Sequence, residues 1–131
     1  MTTKTTINTD SVFINGKEYL PKDSINSNPV YNTEGLPLVM IRTYSAGVHF
    51  GYLSKKVSTL AGMEVTLLNA RRVYQWSGAM TLSQLAMEGS TKQNDCKFTM
   101  EVSKIELVAI EIIEITEVAA NNFNQIKPWK I

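Results

Sequence analysis

The sequence has little from which a metal centre, a disulfide or a membrane anchor could be built. Cys96 is its one cysteine and His49 its one histidine. A lone cysteine cannot form an intramolecular disulfide, which is consistent with a reducing compartment, and a zinc site needs more ligands than these two residues offer. No run of about 18 apolar residues is present to span a bilayer. We therefore expect no metal, no cofactor and no membrane partner, and a cytoplasmic location.

Groups that could do catalytic chemistry are also scarce. Gly47 and Gly51 are separated by bulky residues and precede no helical pattern, so they do not make a phosphate-binding loop. Cys96 lies in a polar stretch without a neighbouring histidine, which argues against an activated thiolate. The glutamates of residues 101–117 are spaced as on a solvated strand face, and nothing places two of them as a catalytic pair. We predict no catalytic residue and a protein that is not an enzyme.

The sequence does have enough apolar residues for one compact domain. It contains 131 residues, of which 44% are hydrophobic and 19% charged, with a net charge of +1. So small a net charge predicts no binding of long nucleic acid. The charge is unevenly placed, because residues 36–76 contain five basic residues and one acid, whereas residues 101–117 contain one lysine and five glutamates. The two halves could form a basic face, pair between subunits, or neutralise each other within one fold.

The first third of the chain reads as an extension of the domain. Residues 1–10 are polar and predict disorder. Asn15-Gly16 lies between two short apolar runs, and both residue types tolerate the positive φ that a tight hairpin turn needs. Residues 21–37 are rich in Pro, Asn, Ser and Gly, which is typical of a linker or long loop. We predict a flexible segment with a small hairpin over residues 1–35 and one compact domain over residues 36–131.

Three strands are predicted at the start of this domain, over residues 38–45, 48–57 and 63–77, from their β-branched and aromatic content. They are expected to form an antiparallel meander. Gly51 falls inside the second strand, and a glycine there usually marks a bulge or a close approach of backbone or ligand.

Capping residues in the second half of the chain predict two helices. Thr81 and Gln84 fit a capping box, in which Gln84 would reach back to the Thr81 amide, and Gly89 provides a stop. Thr116 can cap a second helix that runs to Asn124.

Two more strands are predicted between these helices, over residues 96–102 and 105–116. The apolar alternation slips by one residue near Ile112 and Ile113, which indicates a bulge or a strand buried on both sides. The predicted fold is a β-rich α+β domain with an antiparallel sheet of about five strands, one short helix and a C-terminal helix, plus the N-terminal hairpin as an appendage.

The meander also carries the residues that best suit ligand binding. Arginine offers a planar fork of donors to phosphate or carboxylate, and aromatic rings offer a stacking surface for a base. By strand alternation, Arg72, Tyr74 and Trp76 should share one face, and one of the two adjacent arginines should point to the covered face and need an anionic partner. The alternative is that the aromatic rings are core residues and the arginines pair with the downstream glutamates. The predicted ligand-binding residues are Arg42, Tyr44, His49, Tyr52, Asn69, Arg71, Arg72, Tyr74 and Trp76.

Two long blocks carry a resemblance to a known group. RTYSAGVHFGYL at residues 42–53 and NARRVYQWSGAMTLSQLAMEG at residues 69–89, with CKF at Cys96 and PWK at Pro128, resemble an uncharacterised family of small tailed-bacteriophage proteins. The N-terminal NGKEYLPKDS is similar to these proteins as well. The resemblance covers most of residues 38–131. It implies a viral origin and a compact domain, and it assigns no activity.

These observations lead to three functional hypotheses. The first is a phage accessory, anti-defence protein in the host cytoplasm that binds and sequesters a small anionic, nucleotide-like host signal without cleaving it. Such a ligand must be well buried, so we expect a homo-oligomer whose interface completes the pocket. The second is a structural virion component, such as a capsid decoration or head-fibre protein. The third is a direct protein inhibitor of a host defence factor.

Overall fold

The computed structural model describes the backbone of Val12–Ile14 and Lys17–Tyr19 and all of residues 28–131. The expectation of disorder in residues 1–10, and the Asn15-Gly16 turn itself, lie outside the described residues. Within these described residues, seven strands and two α-helices follow in the order β1 (Val12–Ile14), β2 (Lys17–Tyr19), β3 (Leu38–Thr43), β4 (Val48–Thr59), β5 (Gly62–Gln75), α1 (Leu82–Glu88), β6 (Lys97–Phe98), β7 (Val102–Glu114) and α2 (Glu117–Asn124). A short 3-10 turn, Gln93–Asp95, precedes β6.

The predicted N-terminal hairpin is confirmed, because β1 and β2 pair antiparallel with Ile14 opposite Lys17. Part of the segment predicted as a linker is hydrogen-bonded to the domain. The amide of Glu117 donates to the carbonyl of Asn28 at 3.0 Å, and the amide of Leu38 donates to that of Val30 at 2.8 Å. The chain is therefore attached to the domain from Asn28 onward.

The predicted meander of β3, β4 and β5 is confirmed, and β7 closes it into a ring. β4 pairs antiparallel with β3 and with β5. β7 pairs with β5 along residues 102–109 and with β3 along residues 109–114, so the pairings run from β3 through β4, β5 and β7 back to β3. The short β6 extends the sheet beside β5. Closing a sheet on itself removes most of its free edges.

Because β3 is part of a closed sheet that also carries helices, both of its faces are buried. Val39 and Ile41 belong to a core inside the sheet, here named the interior core, with Val65, Leu67, Ala70 and Ala109. Leu38 and Met40 belong to a second core, the helix-side core, which also contains residues of both helices and the aromatic trio Phe50, Phe98 and Phe123. The alternation of β3 thus divides its side chains between two cores.

The two helices begin and end where the sequence predicts. The Thr81 hydroxyl accepts from the Gln84 amide at 3.0 Å and α1 stops at Gly89, whereas Thr116 caps α2 by accepting from Ala119 at 3.2 Å. One detail of the capping box is wrong: the Gln84 side chain accepts from the amide of Met80 at 2.7 Å instead of reaching Thr81. The two helices contact each other, and Thr116 donates its hydroxyl to the carbonyl of Met87 at the end of α1.

The strand predicted over residues 96–102 is interrupted. Its first part is β6, and Val102 already belongs to β7, although both segments lie along the same strand, β5. The interruption lies opposite Arg71 and Arg72, between the pairs Ala70–Val102 and Val73–Phe98. Three residues, 99–101, oppose these two, and an extra residue on one strand breaks the ladder locally.

The bulges that the sequence indicates are present. Gly51 sits at a register shift between β4 and β5, where an added Cβ would lie 2.9 Å from the Cβ of Ala70. This is the close backbone approach that a strand glycine predicts. The slip near Ile112 comes from a shift of the β3–β7 register between Arg42 and Thr43, and beyond it Ile112 packs in the interior core while Ile113 packs against the helix-side core.

Candidate functional site

The Arg71 side chain is held by hydrogen bonds within the fold. Its guanidinium donates to the backbone carbonyls of Thr99 at 2.8 Å, Phe123 at 3.2 Å and Phe98 at 3.3 Å, and it lies 5.4 Å from the centre of the Phe98 ring. Burial lowers the pKa of Arg71, and the charge of Glu101 opposes that shift. The expected anionic partner is thus replaced by three carbonyl oxygens, which satisfy a half-buried guanidinium without a ligand.

Arg42 is neutralised by the protein's own carboxylate. Its Nε lies 2.9 Å from Glu111 on the neighbouring strand β7, in a pair that stays accessible to solvent. Tyr44 follows in the turn between β3 and β4 and is 91% exposed. Neither residue lines a cavity with Arg71 or Arg72 among the described residues.

The other predicted residues are spread over several surfaces. Tyr52 and Trp76 pack against the helix-side core. Asn69 donates to Glu101 at 3.1 Å, and Tyr74 stacks on Trp129 with ring centres 4.7 Å apart. The prediction that Arg72, Tyr74 and Trp76 share one face is wrong, because the register of β5 shifts between Val73 and Gln75.

Of the predicted ligand-binding residues, His49 and Arg72 are brought together at a cavity. They face each other across β4 and β5 and line a space of about 240 Å³ with Ala70, Thr99, Met100, Val102 and Ile105. The Arg72 side chain is exposed and makes no hydrogen bond or ion pair with any described residue. This cavity combines an apolar wall with one cation free to meet an anion.

His49 is buried at the bottom of this arrangement, with 1% of its surface exposed. Its Nε2 lies 2.9 Å from the carbonyl oxygen of Ala46, and since a carbonyl only accepts, this nitrogen carries the hydrogen. Burial lowers the pKa of His49, the hydrogen bond to Ala46 opposes that shift, and the nearby charge of Arg72 adds to it. The imidazole is therefore neutral in the folded protein at pH 7.

A pH dependence of stability follows from this buried neutral ring. Between the lowered pKa of folded His49 and its ordinary value of about 6.5, the unfolded chain binds more protons than the folded one. We expect His49 to leave the free energy of unfolding unchanged with pH above about 6.5, and we expect this free energy to fall as the pH drops below that value. Urea titrations from pH 8 to about 5 would measure it, with His49→Gln as the control. If this variant loses stability with falling pH as steeply as the wild type, the assignment to His49 is wrong.

A larger groove lies on the opposite, outer face of the sheet, where β4, β5 and β7 run side by side. It has a volume of about 330 Å³. Two rows of cross-strand neighbours form it: Lys55, Thr66 and Glu106 in one row, and Val57, Glu64 and Val108 in the next. Val57 and Val108 are 41% and 39% exposed. The groove, here named the outer-face groove, therefore has apolar side chains between charged ones.

Sequence reasoning missed the outer-face groove, although a signal for it existed. The turn between β4 and β5 consists of Leu60 and Ala61, and counting outward from it pairs Val57 with Glu64 and Lys55 with Thr66. The strand predicted over residues 48–57 stopped before this turn, so the pairing could not be counted. The place of β7 beside β5 is a non-local fact that no local pattern gives.

Two absences can be stated for the described residues alone. In residues 28–131, no three His, Cys, Asp or Glu side chains come together as metal ligands would. Within the same part of the chain, neither helix has the length and hydropathy required to cross a bilayer.

Comparison with known proteins yields one match. Residues 36–123, more than half of the chain, match a family described as a domain of unknown function, DUF6948. No curated protein and no solved structure matches the chain.

Proposed function

We propose that this chain, which belongs to the DUF6948 family, is a non-catalytic structural protein that attaches to a larger protein assembly through the outer-face groove. The proposal rests on the composition of the groove, in which Val57 and Val108 are exposed between Lys55, Glu64 and Glu106. Protein interfaces commonly combine an apolar centre with a polar rim. The three strand segments that hold the groove are paired with one another through β5, so its geometry needs little ordering on binding.

The contacts of Arg42, Arg71 and Arg72 support this function over the binding of a highly charged anion. Arg42 is paired with Glu111 and Arg71 is bonded to backbone carbonyls, which leaves Arg72 as the one free guanidinium of the three among the described residues. A ligand with several negative charges would require more than one free cation. The resemblance of residues 42–53 and 69–89 to small proteins of tailed bacteriophages supports a virion as the assembly.

Quantitative mass spectrometry of purified phage particles tests this proposal. We expect the chain at a fixed copy number per particle, and we expect Val57→Asp to lower that number by roughly tenfold or more, as a loss of about 1.4 kcal/mol would. The matched control is Met80→Asp, which changes an exposed apolar side chain outside the groove. Particles that lack the wild-type chain, or that retain Val57→Asp at the wild-type level, would reject the proposal.

A second function is favoured by the free guanidinium of Arg72. In this alternative the chain sequesters a small anionic, nucleotide-like signal in the host cytoplasm without cleaving it, with a phosphate at Arg72 and the apolar wall of the cavity against the rest. The space of about 240 Å³ is smaller than most ligand pockets, which begin at about 300 Å³, so part of such a ligand would extend beyond it.

Isothermal titration with inorganic phosphate, cyclic nucleotides and nucleotide-ribose compounds tests this second function. Binding should disappear in Arg72→Gln and persist in Arg42→Gln. The guanidinium of Arg42 is already paired with Glu111 and is not expected to contact the ligand. The absence of binding by the whole panel would reject it.

A further inference from the structure

Two strand segments of the ring are paired on one side only. In the part of the chain that the structure describes, β7 pairs with β3 only from Ala109 onward, so residues 102–108 have one side without a partner. Residues 54–59 of β4 likewise pair only with β5. A strand side with unpaired N–H and C=O groups is a template for another strand.

The two free edges carry different charges. The edge of β4 has two adjacent lysines, Lys55 and Lys56, and no acid between residues 54 and 59. Lysines on an edge are a common device that prevents pairing with another chain. The edge of β7 has one lysine and one glutamate, Lys104 and Glu106, on either side of Ile105. Only this second edge is complementary to itself.

We propose that residues 102–108 of β7 bind the same residues of a second copy of this chain, antiparallel, about a two-fold axis at Ile105. In that register Lys104 of each copy lies opposite Glu106 of the other, on the outer face of the sheet. Because of the two-fold axis, the Lys104–Glu106 ion pair forms twice in the dimer. Opposite charges that face each other across an antiparallel pair stabilise it, whereas like charges destabilise it.

Apolar contacts extend the same register. Val102 and Val108, which are 42% and 39% exposed, lie opposite each other across the interface, and Ile105 meets its own copy on the inner face. The contact joins the β4, β5 and β7 strands of two copies into one continuous sheet of six strands. Exposed valines on an unpaired strand side therefore gain both a backbone partner and a covered surface.

This inference does not depend on the proposed function, but it bears on both candidates. Glu106 and Val108 also line the outer-face groove, so a second copy on this edge would lie directly beside that groove. Val102 and Ile105 line the cavity of His49 and Arg72 as well as the edge of β7. A second copy on this edge would therefore lie beside the cavity and enlarge its wall.

Charge exchange on β7 tests the proposal, with the full-length chain and mass measured by sedimentation or light scattering. The wild type is expected at twice 14.6 kDa. K104E and E106K each place two like-charge pairs at the interface, and we expect each to weaken the dimer by roughly 10- to 100-fold. Neither change places a like charge directly opposite on β5, because the partners of these residues there are Leu68 and Thr66. Each single change does place like charges at positions 104 and 106 of the same strand.

Two combinations of these changes then show whether a lost dimer reflects charge repulsion or misfolding of the variants. An equimolar mixture of K104E and E106K restores both opposite-charge pairs, so it should form a heterodimer although each variant alone is mainly monomeric. The double variant K104E/E106K should form a homodimer again. A wild-type chain that stays at 14.6 kDa up to roughly 1 mM overturns the proposal, as does a dimer that none of these changes affects.

Discussion

Replacing Phe98 by alanine is expected to remove about 3–5 kcal/mol from the free energy of unfolding. The Phe98 side chain is fully buried and makes edge contacts with Phe50 and Phe123, at ring-centre distances of 5.6 and 5.4 Å. Alanine would leave a cavity where β6, β4 and α2 meet. Because a domain of this size is stable by only about 5–15 kcal/mol, we expect the melting temperature to fall by roughly 10–20 °C.

Met100→Ala is the matched control for this prediction. It removes an apolar side chain two residues further along, where the side chain is exposed, so it should cost about 0.5 kcal/mol or less. Thermal unfolding followed by circular dichroism would compare the two variants. A Phe98→Ala protein that melts within a few degrees of Met100→Ala would show that the aromatic trio does not hold the helix side of the sheet together.

Features that depend on a few neighbouring residues could be predicted from the sequence. The N-terminal hairpin, the cap at Thr81, the stop at Gly89 and the cap at Thr116 were each predicted from residues within one turn of the feature. Such signals are local because they reflect the hydrogen bonds of one turn or one strand end.

The faces of the two adjacent arginines could not be predicted, because they depend on Asn69. Leu67 and Ala70 both face the interior core although they are three residues apart, so Asn69 is an extra residue that breaks the alternation of β5. A shift of one residue reverses every following side chain. Arg71 consequently points to the helix side and Arg72 to the cavity of His49, opposite to the order that regular alternation from Val65 and Leu67 would give.

The candidate site was predicted only in part for a related reason. His49 and Arg72 were among the predicted residues, and the register of β4 and β5 brings them together. The outer-face groove needs β7 beside β5, and those partners lie far apart in the sequence, with Glu64 opposite Val108. Pairing over such distances follows from the closure of the ring, which no window of the sequence contains.

Replacing Arg71 by methionine is expected to remove about 2–4 kcal/mol from the free energy of unfolding. Methionine keeps most of the apolar volume of the side chain but donates no hydrogen bond, so the carbonyl of Thr99 would lose its donor. The carbonyls of Phe98 and Phe123 would lose the guanidinium and keep only the amides of Trp129 and Ile126 as donors. An unsatisfied, partly buried carbonyl costs about 1–3 kcal/mol if no water replaces the donor, and the loss of two further bonds from a charged donor adds to this cost. Urea denaturation would measure the change as a lower midpoint with an unchanged slope.

Arg72→Met is the matched control, since the two arginines are adjacent and differ mainly in what their guanidinium groups contact. With no described hydrogen-bond partner, the Arg72 side chain should contribute about 0.5 kcal/mol or less to stability. The pair of variants thus separates the two uses of arginine in this fold: Arg71 acts on the free energy of unfolding, and Arg72 is available to a ligand or a partner. Equal losses in both variants would contradict this division, because Arg72 would then also be held by contacts within the chain.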